Sequence, residues 1–113
     1  MPVAVLIRAL EPREGIEVIR ANRSVRPRKQ PLPDRDLCSG PARLCQALAI
    51  DRHLNHTDLT ASDTLFVEAG DTYQPRQVVR TTRVGIAYAE DWVNKPLRWY
   101  VRRNPHISVP ARD

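Results

Sequence analysis

A chain of 113 residues is at most one domain, large enough for a modest core. Its 18 Lys+Arg against 13 Asp+Glu give a net charge of +5, and all the cations except Lys29 and Lys95 are arginines, whose planar forks match phosphate oxygens. Composition alone leaves nucleic-acid binding and a merely solvated arginine surface both open. It excludes a membrane span, since the apolar start VAVLI is far too short, and shows no secretory leader, so a soluble cytoplasmic protein with reduced thiols is expected.

Residues 3–10, VAVLIRAL, are apolar on both faces except for Arg8 and predict a strand buried between layers. Such a strand needs neighbours on both sides, yet this one begins almost at the first residue. Arg8 is the most unusual position in the chain. A permanent charge inside an apolar strand is costly unless an acid, a phosphate or a reacting centre pairs with it. The alternative is that the strand has reached the surface there and the side chain snorkels into water. EPREGIEVIRANR then predicts a helix with Pro12 in its first turn and Ile16 and Ile19 on one face, with Gly15 arguing against a long one.

Residues 23–36 form a basic, proline-rich stretch without periodicity and predict an exposed loop. The stretch CSGPARLCQALAI follows. Ser39 or Gly40 can cap a helix in which Pro41 takes the first turn. A helix start of this kind, with Arg43 and Arg35 nearby, outlines an anion site, although a capped core helix with solvated arginines explains the same residues. Cys38 and Cys45 make no convincing disulfide or zinc pair, because zinc sites favour Cys-x2–4-Cys spacing. Cys45, beside Leu44 and Leu48, is expected in the core.

Residues 51–63 are polar, with Asp58 opening at most a short turn. TLFVEAG and RQVVRTTRVGIAY carry strand composition, and Gly85 inside the second predicts a bulge or a close ligand approach. AEDWVN predicts one helical turn before Pro96. LRWYVRR alternates as a strand, with Leu97, Trp99 and Val101 on one face and Arg98, Tyr100 and Arg102 on the other. Pro105 and Pro110 confine the tail to short extended pieces, and His53, His56 and His106 read as surface histidines. The fold class is α+β, with a mixed or antiparallel sheet and short peripheral helices.

Three of these stretches, VLIRALEP, DRDLCSGPARLCQALAI and RVGIAYAEDWVNKPLRWYVRRNPHISV, run in order over residues 3–109 and resemble the alkyladenine (3-methyladenine) DNA glycosylases. The resemblance implies a monofunctional hydrolase of base excision repair. Such an enzyme flips an alkylated or deaminated purine out of duplex DNA and cleaves its N-glycosidic bond. It implies no metal or cofactor, no membrane, a monomer when the domain is complete, and a nucleoid association in a bacterium. By position, Arg8 matches the arginine that helps hold the nucleophilic water, and the carbonyl of Val84 matches the backbone acceptor for that water. Gly85 then stands at the pocket wall, and Ser39, Gly40 and Arg43 become a phosphate contact.

One departure is large. The family's general-base glutamate lies upstream in a Glu-x-Glu-Ala-Tyr-like segment, with the aromatic residues that stack the flipped base. Nothing here matches it, and Glu11, Glu14 and Glu17 fall in the helical stretch after Arg8. Residues 1–113 are therefore expected to be the C-terminal part of one such domain, inactive alone. The rival expectation is a non-catalytic basic nucleic-acid-binding module.

Overall fold

The computed structural model describes residues 3–110. Two short helices and one two-stranded sheet hold it together: α1 is Ile16–Arg23, α2 is Pro41–Ala47, β1 is Val78–Thr81 and β2 is Arg98–Val101. The class is α+β, as the sequence predicts. Four 3-10 turns, Asp34–Asp36, Arg52–Leu54, Pro75–Gln77 and Ala87–Trp92, punctuate the connections.

The core lies between the helices. Ile16, Ile19 and Arg23 fall on one face of α1 at helical spacing, and Leu44 and Ala47 do so on α2. Ile19, Leu44 and Ala47 close around the fully buried Leu37 and the nearly buried Cys38, with Ile16 and Leu32 at the margin. The expectation that Cys45 lies in the core is overturned. Cys45 is exposed because it sits one residue, about 100° of helical rotation, past Leu44, whereas Cys38 packs into the core. Burial pushes the Cys38 thiol up, partly offset by the nearby charge of Arg23. Iodoacetamide at pH 8 is therefore expected to alkylate Cys45 within minutes and to leave Cys38 unmodified until the protein is unfolded. Peptide mass mapping reads the order, and equal rates would show that the helix pair is open.

The sheet is antiparallel, with Val78 opposite Val101, Val79 opposite Tyr100, Arg80 opposite Trp99 and Thr81 opposite Arg98. This register confirms the predicted shared face of Trp99 and Val101. Trp99 remains 54% exposed, and Arg80 covers its ring at 5.3 Å from the centroid. Arg98 lies over Tyr100 and Lys95 over Trp92 in the same manner. The turn predicted for AEDWVN is present, broken at Glu90. Asp58 opens its short turn by accepting the hydroxyl and the amide of Thr60 at 2.6 and 2.9 Å, which holds its carboxyl below the usual range.

Several predicted strands are not formed. TLFVEAG is irregular, held by the Val67 amide on the Leu59 carbonyl at 3.0 Å and by the Thr64 and Leu65 amides on Ser62 Oγ at 3.1 and 3.2 Å. RQVVRTTRVGIAY yields only β1, because Gln77 closes a 3-10 turn and the chain bends after Thr81. Residues 3–10 are in no helix and no sheet, and Val3, Val5 and Leu6 are 89%, 88% and 67% exposed. A strand buried on both faces needs a ladder partner and a layer on each side, and no described element supplies either. The chain exposes 9775 Å², where a compact monomer of its mass exposes about 6300 Å². Its radius of gyration is 15.7 Å, against about 13 Å for a compact domain of this length. The described residues thus form a small helix pair and a two-stranded sheet, with an apolar segment at residues 3–10 left exposed. No described helix is long and apolar enough to cross a membrane.

Candidate nucleic-acid interface

α2 begins where the sequence places it. Gly40 is the residue before its first turn, with φ 156 and ψ 155, a conformation that only glycine adopts freely, and Pro41 follows in the first turn. Ser39 does not cap the helix. It is buried, and its hydroxyl accepts a hydrogen bond from Arg43 Nη1 at 3.0 Å, which orients that guanidinium back over the turn.

The Arg8 segment reaches this turn. The Leu10 amide donates to the Cys38 carbonyl at 3.1 Å, and Arg8 lies two residues earlier, within about 7 Å of extended chain. Arg8 itself is exposed and makes no hydrogen bond or ion pair among the described residues. Of the two sequence readings, the surface position is the one observed. The segment is also held further along, where Glu11 takes Arg13 Nε at 3.3 Å and faces His106 Nε2 at 3.5 Å. Arg13 bonds Asp71 at 2.7 Å, and Asp71 first, then Glu11, holds its guanidinium above the ordinary value.

His106 corrects the sequence reading. Its side chain is only 15% exposed because the tail turns back onto Glu11, and its Nδ1 is buried without a partner among the described residues. His53 and His56 are exposed as expected. Val84 and Gly85 sit in the bend after β1, not inside a strand. Gly85 has φ 74, so the backbone demands glycine there, while a Cβ would meet nothing within 4 Å. The Val84 carbonyl accepts no hydrogen bond from a described residue, and no such bond or ion pair joins residues 84 and 85 to Arg8 or to residues 39–43.

Arg23 is the functional-site neighbour that the sequence reading missed. Standing where the predicted helix meets the predicted loop, it is the last residue of α1, and it is 8% exposed rather than solvated. Its guanidinium donates to the Leu37 carbonyl at 3.1 Å, the Asp36 carbonyl at 3.4 Å and Gln46 Oε1 at 2.6 Å, tying α1 to the start and body of α2. The helical spacing from Ile16 and Ile19 was the available signal. Burial first, then the positive charges of Arg43 and Arg28, pushes this guanidinium down from its ordinary value. Of the rest of residues 23–36, residues 24–31 are exposed as predicted, whereas Leu32 packs against the core and Asp34–Asp36 form a 3-10 turn. No group of three or more His, Cys, Asp or Glu side chains among the described residues could hold a metal ion.

Fold and site together define a basic α+β chain that gathers guanidinium groups around one glycine-preceded helix start. The family described as Methylpurine-DNA glycosylase matches residues 1–105, and the chain belongs to that family. It is 45% identical to the DNA-3-methyladenine glycosylase of Mus musculus over 96% of this chain and 34% of that protein. Identity to the Homo sapiens protein of the same name is also 45%, over 96% of this chain and 38% of that one. A putative 3-methyladenine DNA glycosylase of Natranaerobius thermophilus is 40% identical over 96% of this chain and 52% of its own length. The chain thus spans between a third and about half of these relatives.

Proposed function

We propose that residues 1–113 are the C-terminal part of a DNA glycosylase of base excision repair, supplying the water-positioning and DNA-contacting half of a site whose general base lies outside this sequence. The observation that carries this reading is the pairing of family membership with an unfilled fold. The relatives are two to three times as long, and residues 3–10 present apolar side chains on both faces to solvent. The reaction is hydrolysis of the N-glycosidic bond of an alkylated or deaminated purine flipped out of duplex DNA.

Within that reaction, the Arg8 guanidinium donates to the attacking water, and the open Val84 carbonyl accepts from it. Gly85 lets the backbone turn at the pocket wall, and Ser39, Gly40 and Arg43 meet a phosphate. General-base catalysis typically contributes 10²–10⁴-fold, so a chain that positions water without activating it falls short by about that factor. A complete form of the domain acts as a monomer in the compartment that holds the DNA.

The test joins this chain to the N-terminal half of a family member and assays release of hypoxanthine from a labelled duplex. Release of free base is expected. A joined protein that folds and binds duplex without releasing base favours the rival reading, a non-catalytic nucleic-acid-binding module.

A further inference from the structure

We infer that the loop of residues 24–31, with Arg43 beside it, is a grip for the phosphate backbone of duplex DNA, separate from the water-positioning residues. The inference rests on the reading above and names a surface that it leaves unassigned. The loop curls around an open cleft of about 620 Å³ whose lining includes Arg26, Arg28 and Lys29 and no acidic residue. None of these three cations makes an ion pair or a hydrogen bond among the described residues. Among the described residues two arginines are ion-paired, Arg13 with Glu11 and Asp71 and Arg20 with Asp34, whereas the three loop cations, like Arg8, are open to an outside anion.

The loop is also held at both ends. Arg23 fixes the end of α1 against the Asp36 and Leu37 carbonyls, and Arg20 bonds both Asp34 and the Leu32 carbonyl. Cations on a tethered loop repel one another without the freedom to spread, so a fixed anion lowers their energy more than it would on a free tail. Arg28 and Arg43 both lie within electrostatic reach of the buried Arg23, and Arg43 is held by Ser39 at the turn that Leu10 touches. A row of cations along an open cleft suits a linear polyanion with regularly spaced charges.

The test is fluorescence anisotropy of a labelled 20-base-pair duplex with the 113-residue chain, at several salt concentrations. The triple variant Arg26→Gln/Arg28→Gln/Lys29→Gln is compared with a charge-matched triple on other exposed arginines, Arg52→Gln/Arg76→Gln/Arg103→Gln. The loop triple is expected to lose at least tenfold in affinity at low salt and about 2.7 units of the salt slope, since each of three phosphate contacts contributes about 0.9. The control triple should lose less than threefold. Arg43→Gln, tested alone, should lose about one unit of slope. Equal losses in the two triples would show diffuse attraction and overturn the grip while leaving the glycosylase reading intact. Absence of any duplex binding overturns it as well, with the catalytic reading then decided by base release from the joined protein. Vesicles of anionic phospholipid that compete as well as duplex at equal phosphate, with the same dependence on the loop, would overturn the assignment to DNA.

Discussion

Arg8→Ala, introduced into this chain joined to a family N-terminal half, is expected to slow single-turnover base release by about 10²-fold or more, the scale of losing one preorganised polar contact to the reacting centre. Arg52→Ala, an exposed arginine in the Arg52–Leu54 turn, should leave the rate within twofold. Single-turnover conditions with enzyme in excess separate chemistry from product release, so a slow rate cannot be assigned to dissociation. The basis is the placement of Arg8. It lies on a segment tied to the Cys38 carbonyl through Leu10, with its guanidinium bonded to no described residue. If both variants slow the reaction equally, Arg8 is one more cation in a general field and its assigned role is wrong.

Leu37→Ala is the second large effect, and it reads the fold. Leu37 is fully buried at the centre of the small cluster between the helices. Truncating such a leucine costs about 2–5 kcal/mol, which is comparable to the whole stability of a marginal domain. The isolated variant is expected to lose its cooperative thermal transition by circular dichroism. Leu6→Ala provides the contrast. At 67% exposure it should change the stability of this chain by no more than about 0.5 kcal/mol. In the joined protein, where residues 3–10 gain a ladder partner and a covering layer, the same change should cost about 2 kcal/mol or more. An equal, small effect of Leu6→Ala in both proteins would mean that the segment stays on the surface and that the chain's open fold has another cause.

The elements legible in the sequence are those set by local chemistry. The α2 start follows from Gly40 and Pro41, the turn before Pro96 from proline's missing N–H, and β2 from the alternation of Arg98 to Val101. What failed depended on distant partners. Residues 3–10 have the composition of a doubly covered strand, but composition cannot supply the layers. Cys45 faces solvent rather than the core because a difference of one position on a helix decides which side chain is buried. The burial of Arg23 depends on the Asp36 and Leu37 carbonyls and on Gln46, which lie 13 to 23 residues away. His106 looked like a surface residue because nothing local announces that the tail folds back onto Glu11. The site divides in the same way. Ser39, Gly40, Arg43 and the Arg8 segment are brought together by one backbone bond, whereas Val84 and Gly85 are joined to them by none.

The most direct measurement is base release by the unaided 113-residue chain, from duplexes carrying hypoxanthine or an alkylated adenine, under single-turnover conditions. The account predicts release no faster than the uncatalysed background, together with release once the N-terminal half is joined. Robust excision by the chain alone would contradict it, because a residue within these 113 would then be activating the water.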